Sequence, residues 1–198
     1  MMAGMRRERK ARPARQLARR ILVVTEGLRT EPQYVEGLND YLRSRGTTTT
    51  VKSVPVGKDP LKVVQNCIEF RDNAARRGKE FDECVCLVDV DQHRTLASAI
   101  HFAQREKISL LISNLKFEVW LRWHVEDRRS ALTSTQLDDC VERLGLVKNK
   151  VLSSTFPFGA VEAACKIART VDSEMRPGRQ GPDPSSALPI LVDLMRSA

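Results

Sequence analysis

Two carboxylates one residue apart, Asp89 and Asp91, follow the apolar run Cys84-Val85-Cys86-Leu87-Val88, and a third acid, Glu26, closes a second run, Ile21-Leu22-Val23-Val24-Thr25. Acids at such places can hold a hard divalent cation or move a proton. Side chains alternate along an extended chain, so Asp89 and Asp91 fall on the same side if the strand continues through them. Like charges that close raise each other's pKa unless a cation compensates, and Mg²⁺ or Mn²⁺ with oxygen ligands is the natural compensator. The spacing also fits a blander pair of roles, with Asp89 capping the next helix and Asp91 solvated in a turn. The pair alone leaves both open.

The elements that must position these acids come next. Continuous aliphatic runs at residues 21–25, 84–88 and 108–112 read as strands buried on both faces, the kind found in parallel sheets. A threonine- and valine-rich stretch at 47–56 alternates and reads as a further strand, weakened at its end by Pro55. Between them fall helical patterns. The first has Thr30 as N-cap, Pro32 in its first turn and Gly46 as its stop; the second opens on Asp59-Pro60 and ends near Arg77-Gly78; the third spans residues 95–107. Strand–helix alternation predicts an α/β three-layer sandwich with a mostly parallel four-stranded sheet and right-handed crossovers. The strand ends after Thr25, Val88 and Ile112 then share one edge, where ligands bind in such sheets.

From Lys116 onward the pattern turns helical. Helices are expected at 117–124, 134–144, 159–175 and 186–195, with loops at 145–158 and 176–184. Phe117, Trp120, Leu121 and His124 share one helical face, which reads as core packing. The expected organisation is a flexible basic arm (1–20), an α/β core (21–115) and a helical extension packed on that core (116–198). The chain has no internal repeat, and Gly57-Lys58 lacks the upstream glycine of a P-loop.

The formal net charge of +8 is unevenly placed, because the first twenty residues hold eight basic side chains against the single acid Glu8. Among them Arg6, Arg7, Arg9, Lys10, Arg12 and Arg15 suit a phosphate backbone, whose affinity comes largely from counterion release, and equally suit a solubilising leader. Five scattered cysteines (Cys67, Cys84, Cys86, Cys140, Cys165) show neither a C-x-x-C pair nor zinc spacing and read as reduced core thiols. No apolar run spans a membrane and the first residues lack a secretory core, so a cytoplasmic protein is expected.

Several of these stretches together resemble the RloB-like proteins, a bacterial family associated with phage defence and restriction loci, whose fold is similar to TOPRIM domains. The resemblance rests on Val24-Thr25-Glu26-Gly27 with Thr30-Glu31-Pro32 and Tyr34, on Val88-Asp89-Val90-Asp91-Gln92-His93, on Ile112-Ser113-Asn114 leading to Phe117-Glu118-Val119-Trp120-Leu121, and on Asp183-Pro184-Ser185-Ser186. It departs in two places. Residues 114–118 lack an expected proline and small residue, and Asp183 stands where an asparagine is usual. TOPRIM domains use a glutamate after the first strand and a D-x-D after a later one, so the resemblance implies Glu26, Asp89 and Asp91 as metal-binding and catalytic residues.

The expectation is a Mg²⁺- or Mn²⁺-dependent nuclease acting on DNA or RNA, with Gly27, Thr30, Glu31, His93, Ser113, Asn114 and Glu118 near enough in sequence to line the pocket. Each of the last four has an equally plausible structural role as a cap or core hydrogen-bonding group. Lys148 and Lys150 either reach phosphate or belong to a solvated loop. Two other readings stand beside the nuclease. One is a nucleic-acid-binding or partner-recruiting subunit of a defence system. The other is a phosphoacceptor module using the strand-end acids with Ser113.

Overall fold

The computed structural model describes residues 18–57, 59–90 and 95–197; Asp91, His93 and the basic residues Arg6, Arg7, Arg9, Lys10, Arg12 and Arg15 lie outside them. The expected aliphatic runs become β1 (Arg20–Thr25), β3 (Glu83–Asp89) and β4 (Ser109–Asn114), and the threonine-rich stretch becomes β2 (Thr50–Pro55). β1 and β3 lie side by side at the centre, with β2 beyond β1 and β4 beyond β3, all parallel. The sheet has five strands rather than the expected four. Ser185–Ser186, the last strand in the chain (β7), pairs antiparallel with β4 through Ser113↔Ser186 and Asn114↔Ser185. Two polar residues carry no readable alternation, which is why this strand was invisible in sequence. It is specified by side chains instead: the Ser113 and Ser186 hydroxyls meet at 3.1 Å, and Asn114 Nδ2 donates to the Gly181 carbonyl at 3.0 Å.

Burial on both faces explains the aliphatic runs. One face of the sheet (Leu22, Val24, Cys84, Cys86, Val88, Leu110 and Ile112) packs under α2 (Pro60–Ala75) and α3 (Leu96–Arg105). The other (Ile21, Val23, Val85, Leu87 and Leu111) packs under α1 (Thr30–Ser44) and the C-terminal helices. All five cysteines are buried and free. Asp59 caps α2 as expected, accepting from the Leu61 and Lys62 N–H groups. Thr30 does not cap α1. It is the first helical residue, Arg29 occupies the cap position without a side-chain bond, and the Thr30 hydroxyl donates instead to the Lys150 carbonyl. Arg19 and Arg20 belong to the folded part rather than to an arm. Arg19 pairs with Glu83 at 2.6 Å, and Arg20 opens β1, donates to the Glu80 carbonyl and stacks over Phe81.

The C-terminal part contains α4 (Glu118–Arg122), α5 (Ser134–Arg143), β5 (Val147–Lys148), β6 (Val151–Leu152), α6 (Val161–Val171) and α7 (Leu188–Arg196). Two of the expected helices are longer than those formed. The first covers only Glu118–Arg122, and α6 is preceded by a 3-10 turn at Phe158–Ala160. The expected loop at 145–158 holds a tight hairpin, β5 against β6, whose two-residue tip has Asn149 at φ 52° and Lys150 at φ 59°. Positive φ at both positions marks a type I′ turn, whose twist matches that of paired strands.

The aromatic stripe is core, as expected, and its centre lies on α1. Tyr34 is fully buried and meets Phe117, Trp120, His124, Phe156 and Phe158 at ring-centroid distances of 5.5–6.2 Å. His124 Nδ1 faces the Trp120 carbonyl at 3.1 Å, so that nitrogen carries the proton and Nε2 accepts from the Tyr34 hydroxyl at 3.2 Å. Burial holds the His124 pKa down to about 4, so the ring is neutral.

Candidate functional site

The chain turns to opposite sides of the sheet after β1 and β3, so the strand order reverses between these neighbours and leaves a crevice beyond their C-terminal ends. Glu26 and Asp89 stand at its two lips. The Glu26 backbone is pinned from both sides: its N–H donates to Leu87 O and its carbonyl accepts from Gly57 N, each at 3.0 Å. Thr25, fully buried, donates to the Gly27 carbonyl at 2.8 Å and fixes the turn that follows. The Asp89 N–H donates across the crevice to Glu26 Oε2 at 3.3 Å, so the two acids are neighbours in space as well as in topology.

Two further acids join them. Glu31, in the first turn of α1, folds its carboxyl back over Gly27. A Cβ on Gly27 would lie 1.8 Å from Glu31 Oε2, so this glycine is what lets the carboxyl into the crevice. Glu118 opens α4 and enters from the β4 side. Together with Gly27, Thr30 and Asp89 these residues line an open cleft of about 810 Å³. Burial raises the pKa of all three flanking carboxyls. Glu31 reaches about 7, pushed up by desolvation and then by Glu118 and Glu26, with the N–H groups of Glu31 and Gly27 opposing. Asp89 is held well above its ordinary range by desolvation and by Glu31, Glu118 and Glu26, while the Phe117 N–H pulls it back. Glu118 is raised by desolvation, with Lys116 opposing. Among the described residues none of these three has a basic side chain within ion-pair distance.

The rim is basic. Arg29, Lys116 and Lys150 line the same cleft, with Lys116 tied to Asp138 of α5 at 2.5 Å. Arg29, Lys116, Asp138 and Glu142 escaped the sequence reading. Of these Lys116 carried the clearest signal, a lysine set between two stretches already singled out.

Two of the expected pocket residues are engaged elsewhere. Ser113 and Asn114 are buried and bonded to the C-terminal segment, and neither lines the cleft. Thr30 reaches it from the α1 end, while Asp91 and His93, which follow Asp89 in the chain, lie outside the described residues.

The donor set suits a hard cation. It offers carboxylate oxygens from Glu26, Glu31, Asp89 and Glu118, with neither sulfur nor imidazole among the described cleft residues. The raised pKa values of Glu31, Asp89 and Glu118 are what carboxyls gathered for a cation show without it. No three of the described acids, histidines or cysteines already converge to ligating distance, so closing around an ion would take side-chain rotation or Asp91.

Comparison with known proteins adds one finding. The family model described as RloB-like protein matches residues 21–195, from the start of β1 to the end of α7. Searches of curated proteins and of solved structures return no match. The match spans the crevice, its acids and the C-terminal segment that Ser113 and Asn114 hold in place; the chain belongs to the RloB-like family.

Proposed function

We propose that the chain is a Mg²⁺- or Mn²⁺-dependent phosphodiesterase of TOPRIM-like type acting on DNA or RNA, with the cleft between β1 and β3 as its active site. The observation that carries this reading is the gathering of Glu26, Glu31, Asp89 and Glu118 at one strand-order reversal beneath a rim of Arg29, Lys116 and Lys150. Carboxylates able to hold a cation and basic side chains lining one cleft fit a phosphodiester bound there. Glu26 and Asp89, joined by Asp91, would hold the cation. When bound, it would stabilise charge on the phosphoryl oxygens and lower the pKa of a coordinated water. Glu31, held near neutrality, can exchange a proton at the working pH. Arg29 and Lys150 offset the substrate's charge from the rim. Thr25 and Gly57 keep the Glu26 backbone still, so its carboxylate is positioned before substrate arrives. A place in bacterial phage defence belongs to the same proposal.

The sequence supports a second reading. The basic residues among the first fifteen would also serve a nucleic-acid-binding or partner-recruiting subunit that cleaves nothing. Incubating purified protein with labelled DNA and RNA, in Mg²⁺ or Mn²⁺ and with EDTA and Asp89→Ala controls, decides between them. Cleavage lost in both controls supports the enzyme. Salt-dependent binding without cleavage supports the subunit and ends the enzyme reading.

A further inference from the structure

Lys150 sits where turn chemistry asks for something else. The second position of a two-residue type I′ hairpin needs positive φ, which glycine adopts freely and a lysine resists. Asn149 at the first position is the expected residue; Lys150, at φ 59°, is not. The tip is nevertheless tightly held. The Thr30 hydroxyl donates to the Lys150 carbonyl at 3.1 Å, Leu152 N donates to Gln33 Oε1 at 2.8 Å, and Asn149 N donates to Glu142 Oε1 at 3.4 Å. Two helices, α1 and α5, thus fix the backbone of one exposed lysine at the mouth of the acid-lined cleft.

The charge is also left available. Lys116, on the same rim, is committed to Asp138. Lys150 has no carboxylate within ion-pair distance among the described residues, although its field is felt at Glu118. Lys148, two residues earlier, does not line this cleft. Strain accepted at one residue, a backbone stapled from two sides and an ammonium without an ion-pair partner among the described residues, beside an acid-lined cleft, have one common use.

We infer that Lys150 is a substrate-positioning residue that binds a phosphate of a nucleic-acid strand next to the one to be cleaved, the β5–β6 hairpin serving as its mount. This rests on the phosphodiesterase reading for which phosphate is cleaved, but not for the binding itself. A lysine that neutralises one phosphate contributes about 0.9 to the slope of log affinity against log salt on duplex DNA and about 0.7 on single strands.

The test is equilibrium binding of short labelled DNA and RNA, single- and double-stranded, to the full-length protein in Ca²⁺ across a salt series. Wild type is compared with Lys150→Ala, Lys150→Gly, Lys150→Arg and Lys148→Ala, with melting temperature recorded for each. Lys150→Gly relieves the turn, so its melting temperature holds or rises while affinity falls about tenfold and the salt slope drops by about one. Lys150→Ala loses binding similarly, Lys150→Arg keeps most of it, and Lys148→Ala is close to wild type. Equal affinity and slope for wild type and Lys150→Gly would overturn the inference whether or not the protein cleaves. Loss of binding in a protein that never cleaves would leave Lys150 standing and remove the enzyme reading alone.

Discussion

Replacing Glu31 by glutamine should make the metal-free protein more stable, even though it alters a residue at the heart of the site. The Glu31 carboxyl titrates near 7 in the fold against an ordinary 4.5, because it is half-buried beside Glu118 and Glu26. Between those two pH values the unfolded chain has released a proton that the folded chain still holds. Stability therefore falls as pH rises through this window, and the full cost is present above 7. At about 1.36 kcal/mol per pH unit that cost is roughly 3 kcal/mol, an upper figure because a buried amide also loses hydration. For a chain of this size it corresponds to about 6–12 °C in melting temperature. Thermal unfolding in EDTA should therefore show Glu31→Gln well above wild type at pH 8 and level with it at pH 4, where Glu31 is protonated in both the folded and the unfolded chain. Saturating Mg²⁺ should close the gap at pH 8, since the cation supplies to wild type what the amide supplies to the variant. A Glu31→Gln variant no more stable than wild type at pH 8 would refute the claim that burial, and then the neighbouring acids, penalise the ionised Glu31 carboxyl in the folded state.

Three further outcomes follow from the same geometry. His124 carries the opposite sign: its folded pKa of about 4 lies below the ordinary 6.5, so stability is lost as pH falls through that range, by roughly 3 kcal/mol at most, and denaturant melts of His124→Gln should show a flatter acid limb than wild type. Tyr34→Phe leaves His124 Nε2 as a buried acceptor without a donor and should cost about 1–3 kcal/mol in urea unfolding, with the pH dependence of His124 retained. Gly27→Ala sets a methyl where the Glu31 carboxyl lies; the flexible glutamate can swing aside, so melting temperature should change little while cleavage falls at least tenfold.

Much of this architecture was legible because burial writes itself into composition. Residues 21–25, 84–88 and 108–112 face helices on both sides, and nothing polar is tolerated there except at the ends, which is how Glu26 and Asp89 announced themselves. Asp59-Pro60 read correctly because cap chemistry is local. Thr30 did not, since its hydroxyl is claimed by a carbonyl 120 residues away. The same limit hid β7, which exists through Ser113, Asn114 and a distant partner rather than through any pattern of its own. The hairpin tip stayed hidden because a lysine, not a glycine, occupies its left-handed position. Of the cleft, Glu26, Glu31, Asp89 and Glu118 were visible, while Asp138, Glu142 and two of the three cations were not. Arg29 and Lys116 are ordinary surface residues until the fold brings α1, α4 and α5 around one crevice.

The assignment of the cleft rests on its taking a divalent cation. Calorimetric titration of Mn²⁺ into full-length protein at pH 7, in buffers of different ionisation enthalpy, measures affinity and proton release together. Because Glu31 titrates near 7 and burial raises Asp89 and Glu118 above their ordinary range, binding should be saturable, should release protons into the buffer, and should weaken at least tenfold in Asp89→Asn. Absence of saturable binding, or binding of equal strength in Asp89→Asn, would contradict the assignment of these acids to a metal.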